Sequence, residues 1–153
     1  MQRKNKKDNK IIDGKDLRIG IIASEFNWDI VGSMLEGALD LLKKNNVKKE
    51  SIKIVKVPGS FEIPLACQKL AHSDKFDALI ALGCVIKGET GHYYYVAGEA
   101  SKGVMDVMLK FSLPIGFGII TTDNLAQAKK RSGGKNNKGK EAAEAALRMI
   151  LIK

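Results

Sequence analysis

The sequence predicts a three-layer α/β/α sandwich, with a four-stranded parallel sheet at its centre and helices on both faces. Three observations predict it. Short apolar runs alternate with segments of helical periodicity along the chain. The most apolar run, Ala78 to Ile86, reads as a central strand buried on both sides. And 153 residues suit one domain, long enough to bury about 68–70% of its unfolded surface without a disulfide or metal.

The elements follow in order. Arg18 to Ala23 is a β-branched run, read as a buried strand. Trp28 to about Asn45 has helical spacing through Ile30, Val31, Met34, Leu35, Ala38, Leu41 and Leu42, with Asn27 or Ser24 as its cap. Ile52 to Val57 is the next strand, stopped by Pro58-Gly59. Phe61 to about Ser73 reads as a helix with Pro64 in its first turn, where proline is tolerated. After the central strand, the loop Lys87–Gly91 leads into a helix from His92 to about Lys110. Pro114 precedes the strand Ile115 to Thr121. Asp123 or Asn124 caps a short helix to about Arg131, and a Gly/Asn/Lys-rich loop precedes the last helix, Gly139 to Ile152. No internal repeat or linker interrupts the pattern.

The formal charge is +9. Five basic side chains against Asp8 place +4 of it in the first ten residues, which carry almost no apolar content. Residues 1–14 therefore read as a basic, disordered tail and residues 15–153 as a single domain. Lys129, Lys130, Arg131, Lys135, Lys138 and Lys140 form a second basic cluster, either a phosphate site or a solvated face. No apolar run reaches the roughly 18 residues a membrane span needs, and no apolar region follows the basic N-terminus as in a secretory signal. Cys67 and Cys84 sit in apolar stretches and read as buried reduced thiols, with a disulfide or a nucleophile as the alternative. A cytoplasmic location fits.

In open parallel sheets a ligand sits outside the carboxyl ends of the strands. Four segments occupy those ends. Glu25-Phe26-Asn27-Trp28 offers an aromatic face for a heterocycle, or a hydrophobic staple. Pro58-Gly59-Ser60-Phe61-Glu62 makes a tight turn whose Ser60–Glu62 amides can receive a carbonyl or an anion, although Glu62 also suits a helix start on charge alone. Gly88-Glu89-Thr90-Gly91-His92 joins strand to helix, with amides and the Thr90 hydroxyl able to cradle a phosphate. His92 is a proton carrier of the type general base work needs, or a structural histidine. His72, near a helix end, reads as surface. Thr121–Asn124 completes the rim. Walker A, GxGxxG and zinc-ligand spacings are absent.

Taken together these segments resemble the lumazine synthase family. The resemblance rests on Phe26-Asn27, on Pro58-Gly59-Ser60-Phe61-Glu62-Ile63-Pro64 and on the run from Gly83 to Tyr93. It continues through Glu99–Gly103, Pro114–Gly118, Thr121-Thr122 and Asn137-Lys138-Gly139, in the same order, from about Lys15 to the C-terminus. Lys87 departs from the arginine often found there, and Cys84 occupies a variable position. The resemblance implies a flavodoxin-like domain that condenses 5-amino-6-(D-ribitylamino)uracil with 3,4-dihydroxy-2-butanone 4-phosphate, without metal or organic cofactor. It implies that Phe26 stacks on the pyrimidine. Ser60, Phe61 and Glu62 meet the ribityl chain, and Val85, Ile86 and Lys87 border the ring. Gly88, Glu89 and Thr90 surround the phosphate, and His92 transfers protons. Phe117, Arg131 and Lys138 come from a neighbouring subunit, Phe117 to cover the ring, Arg131 to pair with the phosphate and Lys138 to add charge.

The family forms pentamers, sometimes twelve to an icosahedral shell, so the resemblance implies self-association with shared sites, and makes riboflavin synthase a candidate partner. Two rival readings are a non-catalytic flavin or lumazine binder on the same fold and a basic nucleic-acid binder. Retention of His92, Arg131 and Lys138 speaks against the first, and the expectation is of no nucleic-acid or membrane partner.

Overall fold

The computed structural model describes residues 11–153. The part of the expected basic tail that falls on residues 1–10 lies outside the described residues. Ile12 and Gly14, which the charge pattern groups with that tail, are bonded to the domain: the Ile12 amide donates to Asn45 Oδ1 at 2.8 Å and the Gly14 amide to the Asn45 carbonyl at 2.6 Å.

The described chain forms four strands, β1 (Ile19–Ser24), β2 (Ile52–Val57), β3 (Ala78–Ile86) and β4 (Ile115–Thr122), all parallel, in the order β2-β1-β3-β4. Five α-helices connect and follow them: α1 (Trp28–Lys44), α2 (Ile63–His72), α3 (His92–Phe111), α4 (Leu125–Ser132) and α5 (Lys138–Ile150). The predicted α/β fold with a four-stranded parallel sheet is what the chain adopts.

Strand alternation explains the layers. Ala78, Ile80, Leu82 and Cys84 of β3 pack with α1, α4 and α5. Leu79, Ala81 and Val85 point the other way, into a second core with α2 and α3. β1 is divided in the same manner, with Ile19, Ile21 and Ala23 on one side and Ile22 on the other. Strands buried on both faces need an apolar residue at nearly every position, which is why β1 and β3 read as unbroken apolar runs.

The boundaries differ from the sequence reading for local reasons. β1 starts at Ile19 because Arg18 is held by Asp77: the Arg18 amide donates to Asp77 Oδ2 at 2.8 Å and the Asp77 amide returns a bond to the Arg18 carbonyl at 2.8 Å. The single helix predicted from Phe61 divides into a 3-10 turn, Ser60–Glu62, and α2. Pro64 lies in the first turn of α2, where its missing amide costs no helical bond. Asn124 caps α4, accepting from the Gln127 amide at 2.9 Å. Asn27 takes the N-cap position of α1 but makes no capping bond with its side chain.

β1 passes to β2 on one side of the sheet, and β2 returns across β1 to β3 on the other. The winding therefore reverses between β1 and β3, opening a crevice at their carboxyl ends. The opposite edge is closed by small residues. A Cβ on Gly116 would collide with the Ala142 carbonyl of α5. Gly116→Ala should therefore destabilise the domain by about 1–3 kcal/mol through overpacking. A thermal melt followed by circular dichroism checks this; an unchanged midpoint would show that α5 moves freely away from β4.

Candidate functional site

The rim at the β1–β3 crevice is assembled by short ties. Beyond Ser24, the Glu25 amide donates to the Val57 carbonyl at 2.8 Å and the Phe26 amide to the Pro58 carbonyl at 3.0 Å. The loop after β1 is thereby laid against the turn after β2. Phe26 projects outward with 71% of its surface exposed, a flat ring that serves no core. Trp28, the other aromatic of this loop, instead receives the Lys56 ammonium 4.2 Å from its ring centre.

The neighbouring Ser60–Glu62 turn presents Phe61 and Glu62 to solvent while Ser60 is buried. The run of three free amides expected here is shorter, because the Glu62 amide donates to the Gly59 carbonyl at 3.2 Å. Beneath the turn lie the Ser24 and Ser60 hydroxyls, both buried and without a hydrogen-bond partner among the described residues. Gly83 makes room for them: a Cβ there would collide with Ser60 Oγ and approach Ile63 Cδ1 to 3.0 Å and Ser24 Oγ to 3.4 Å. Neither Gly83 nor Ser24 was singled out as a functional residue from the sequence. A glycine inside an otherwise apolar strand is the signal that marks such a close approach.

Across the crevice, the Lys87 amide donates to the Thr122 carbonyl at 2.9 Å, so the loop after β3 leaves from a fixed point on β4. Gly88, Glu89, Thr90 and Gly91 are exposed, and open space surrounds Gly88 and Gly91. Thr90 Oγ1 accepts a long bond from the His92 amide, 3.4 Å. His92 opens α3 and is exposed at the rim. The Lys87 ammonium lies 5.7 Å from the Tyr94 ring centre, and the Tyr94 phenol beside it raises its proton affinity above that of an ordinary lysine.

Three sequence-predicted residues are not brought to this rim. Phe117 sits on the outer strand β4, paired with Ala81 below the strand ends, and is half exposed. Arg131 lies in the last turn of α4 and its Nη1 donates to the Gln127 carbonyl at 3.0 Å. Lys138 begins α5 and pairs with Glu141 at 2.8 Å. Helices α4 and α5 cover the sheet face opposite α3.

The cysteines lie apart. Cys67 belongs to the core on the α2–α3 face and Cys84 to the core on the other, so the sheet separates them and both are free thiols. Burial pushes Cys67 up to about 12; burial first, and then the Asp29 charge, push Cys84 up to about 11. Neither is poised as a nucleophile. His72 ends α2, exposed and edge-on to Phe111 at 6.0 Å. Among the described residues no three His, Cys, Asp or Glu side chains gather as a metal site.

Comparison with known proteins bears on this rim. Residues 16–153 match the family model described as 6,7-dimethyl-8-ribityllumazine synthase. The chain is 48% identical over 142 residues to a 6,7-dimethyl-8-ribityllumazine synthase of Desulfovibrio desulfuricans, covering 92% of this chain and 91% of that one. Proteins of the same name from two strains of Nitratidesulfovibrio vulgaris, DP4 and Hildenborough, are each 46% identical over 142 residues, with the same coverage.

The packing at Gly83 makes a direct test of how the rim is held. Gly83→Ala should displace the Ser60 hydroxyl and cost about 1–3 kcal/mol. Adding Ser60→Ala, which removes the obstructing oxygen, should recover part of the loss in thermal melts. No recovery would show that Ile63, not Ser60, bears the strain.

Proposed function

The chain belongs to the 6,7-dimethyl-8-ribityllumazine synthase family, and from that premise we propose how its rim carries the family's reaction. The enzyme is a transferase of riboflavin biosynthesis. It condenses 5-amino-6-(D-ribitylamino)uracil with 3,4-dihydroxy-2-butanone 4-phosphate to give 6,7-dimethyl-8-ribityllumazine, phosphate and water. The observation that carries the site reading is the convergence of Phe26, the Ser60–Glu62 turn and the Val85–His92 segment on one crevice.

In this reading the aminouracil stacks on Phe26, its edge meeting the main chain at Val85 and Ile86, with Lys87 beside it. The ribityl chain runs toward Ser60, Phe61 and Glu62. The Ser60 hydroxyl itself is buried beneath the turn, so in this reading Ser60 meets the polyol through its main chain. The phosphate of the second substrate lies over Gly88, Glu89 and Thr90 at the start of α3, where amides and the helix dipole favour an anion. The substrate amine attacks the ketone and water leaves as an imine forms. Phosphate is then eliminated to leave an enol, which tautomerises to a second ketone. The ribityl-bearing nitrogen attacks that ketone, and a second water leaves as the ring closes. Each step moves protons, and His92 at the rim is the carrier. Holding two reactants in register supplies on the order of 7–11 kcal/mol at the limit, so the proposal needs neither metal nor organic cofactor.

Self-association completes the site. Phe117, Arg131 and Lys138 lie away from their own rim, and Phe117, Tyr94, Tyr95 and Leu109 are exposed apolar or aromatic groups that suit an interface. We assign Phe117 of a neighbouring copy to cover the ring, its Arg131 to grip the phosphate through a planar fork of donors, and its Lys138 to add charge. A head-to-tail contact of this kind closes into a ring, the pentamer of the family, alone or as part of a larger shell. Riboflavin synthase remains the candidate partner. No helix among the described residues is long and apolar enough to cross a membrane, and a cytoplasmic location completes the proposal.

His92→Ala should slow kcat on the order of 10²-fold yet leave measurable turnover, because positioning persists. Arg131→Ala should raise KM for the phosphate substrate at least about tenfold, the scale of a charge-assisted bond, with a much smaller effect on the aminouracil. Equal loss of both affinities counts against that role. Assayed well below KM for the phosphate substrate, where both parents are weak, mixing the two variants after dissociation should restore about a quarter of wild-type activity, the fraction of randomly formed interfaces with both residues intact. Absence of recovery after confirmed reassembly would place the whole site within one chain.

A further inference from the structure

We propose that Asn27 is a positioning residue that sets the gap between the Phe26 ring and the carboxyl end of β3. The inference rests on the reading of Phe26 as the aminouracil platform and deepens it.

Asn27 has φ 58° and ψ 43°, the left-handed conformation that asparagine tolerates better than any bulkier side chain. At the start of a helix an asparagine side chain ordinarily turns inward and accepts from an amide of the first turn. Here it does not cap α1. Its Nδ2 donates to the Cys84 carbonyl at 3.0 Å.

That bond lies where the β1–β3 ladder has just ended. The paired register runs from Ile19 with Ala78 to Ala23 with Leu82 and stops there. The Cys84 carbonyl is beyond the last pair. The side-chain amide of Asn27 thus replaces the main-chain donor that a longer β1 would have supplied, and carries the sheet one step past its backbone. Because the winding reverses between β1 and β3, this step spans the crevice itself.

The loop is consequently tied on both flanks. Glu25 and Phe26 bond backward to Val57 and Pro58 at the end of β2. Asn27 bonds forward to β3. Phe26 stands between the ties, its own ring exposed and packed in no core. On the far side of the crevice, Cys84 is followed directly by Val85 and Ile86, the residues assigned to the pyrimidine edge. The Asn27 amide therefore connects the ring that stacks on the heterocycle to the strand end that reads its edge. It touches neither reacting centre.

Asn27→Gly tests this, because glycine keeps the left-handed backbone without steric cost and removes only the amide. Asn27→Asp keeps size and conformation but offers the Cys84 carbonyl no donor. Both should raise KM for the aminouracil about five- to tenfold, the scale of one lost hydrogen bond, with KM for the phosphate substrate and kcat changing less than about twofold. Phe26→Ala is the reference. If Asn27 acts through Phe26, Asn27→Gly added to Phe26→Ala should raise the aminouracil KM by less than the product of the single effects.

The inference is overturned if Asn27→Gly and Asn27→Asp leave that KM unchanged while Phe26→Ala raises it. Multiplicative effects, or equal rises in both KM values with a lowered melting temperature, would also overturn it by reducing Asn27 to scaffold. A Phe26→Ala variant with wild-type aminouracil KM would instead remove the platform reading beneath it.

Discussion

β3 sends alternate side chains into two cores, and the rest of the molecule takes its place from that division. Ile80 and Leu82 face α1, α4 and α5; Leu79 and Ala81 face α2 and α3. Ile80, Leu82 and Leu79 are each wholly buried, and burial of such a side chain contributes about 1.5–3 kcal/mol. A slip of one residue would exchange the two sets and put Gly83 where a packed side chain is needed. The register that keeps both cores filled also presents the carboxyl end of β3 beside that of β1. The crevice is a consequence of satisfying the two cores, and the loops around it inherit a rigid base.

Small residues then decide how closely the layers approach. Gly83 admits the Ser60 hydroxyl, Gly116 admits the Ala142 carbonyl, and Gly139 admits the Met34 carbonyl of α1. Each is a place where a methyl group would separate two elements. Asn137 secures the last of these contacts: its Nδ2 donates to the Ser33 carbonyl at 2.9 Å and to the Ser132 carbonyl at 2.9 Å, while its Oδ1 accepts from the Lys140 amide at 3.1 Å. One side chain thereby joins α1, the end of α4 and the start of α5. Arg131 and Lys138 flank this joint, so their backbone positions are set even though their long side chains bond locally within the single chain.

What the sequence discloses depends on whether the cause is local. β2 and β3 are legible to the residue because apolar pattern and punctuation agree, with Pro58-Gly59 stopping one strand and Lys87-Gly88 the other. The start of β1 is misplaced by one residue because Asp77, fifty-nine positions away, takes the Arg18 amide. The turn before Pro64 is legible only as a helix start, since 3-10 and α turns share their first residues. At the site, Phe26, Ser60 and His92 are visible as unusual residues at predicted strand ends. The bond from Asn27 to Cys84 is invisible, because nothing in a sequence distinguishes an asparagine that caps its helix from one that reaches across a sheet. Arg131 and Lys138 have no partner near the rim of their own chain, and only the family resemblance assigns them a place there.

A condensation that draws its acceleration from juxtaposition demands a particular kind of stiffness. A displacement of about 1 Å can cost on the order of 10²-fold in rate, so the groups that orient the reactants must have little freedom. The rim meets this with main-chain ties from Glu25, Phe26 and Lys87 and one short side chain from Asn27, all between 2.8 and 3.0 Å. Charge on the phosphate is a different matter. A long arginine or lysine reaching from another subunit tolerates small errors of assembly, because a Coulombic attraction falls off gradually with distance whereas contact packing does not. The division proposed for this enzyme follows from that asymmetry: the platform and the edge contacts that orient the heterocycle are kept within one rigid chain, the neighbour's Phe117 closes over the ring, and charge neutralisation is delegated across the interface. An activity arranged in this way depends on self-association for its phosphate affinity, and on the β1–β3 crevice for its geometry.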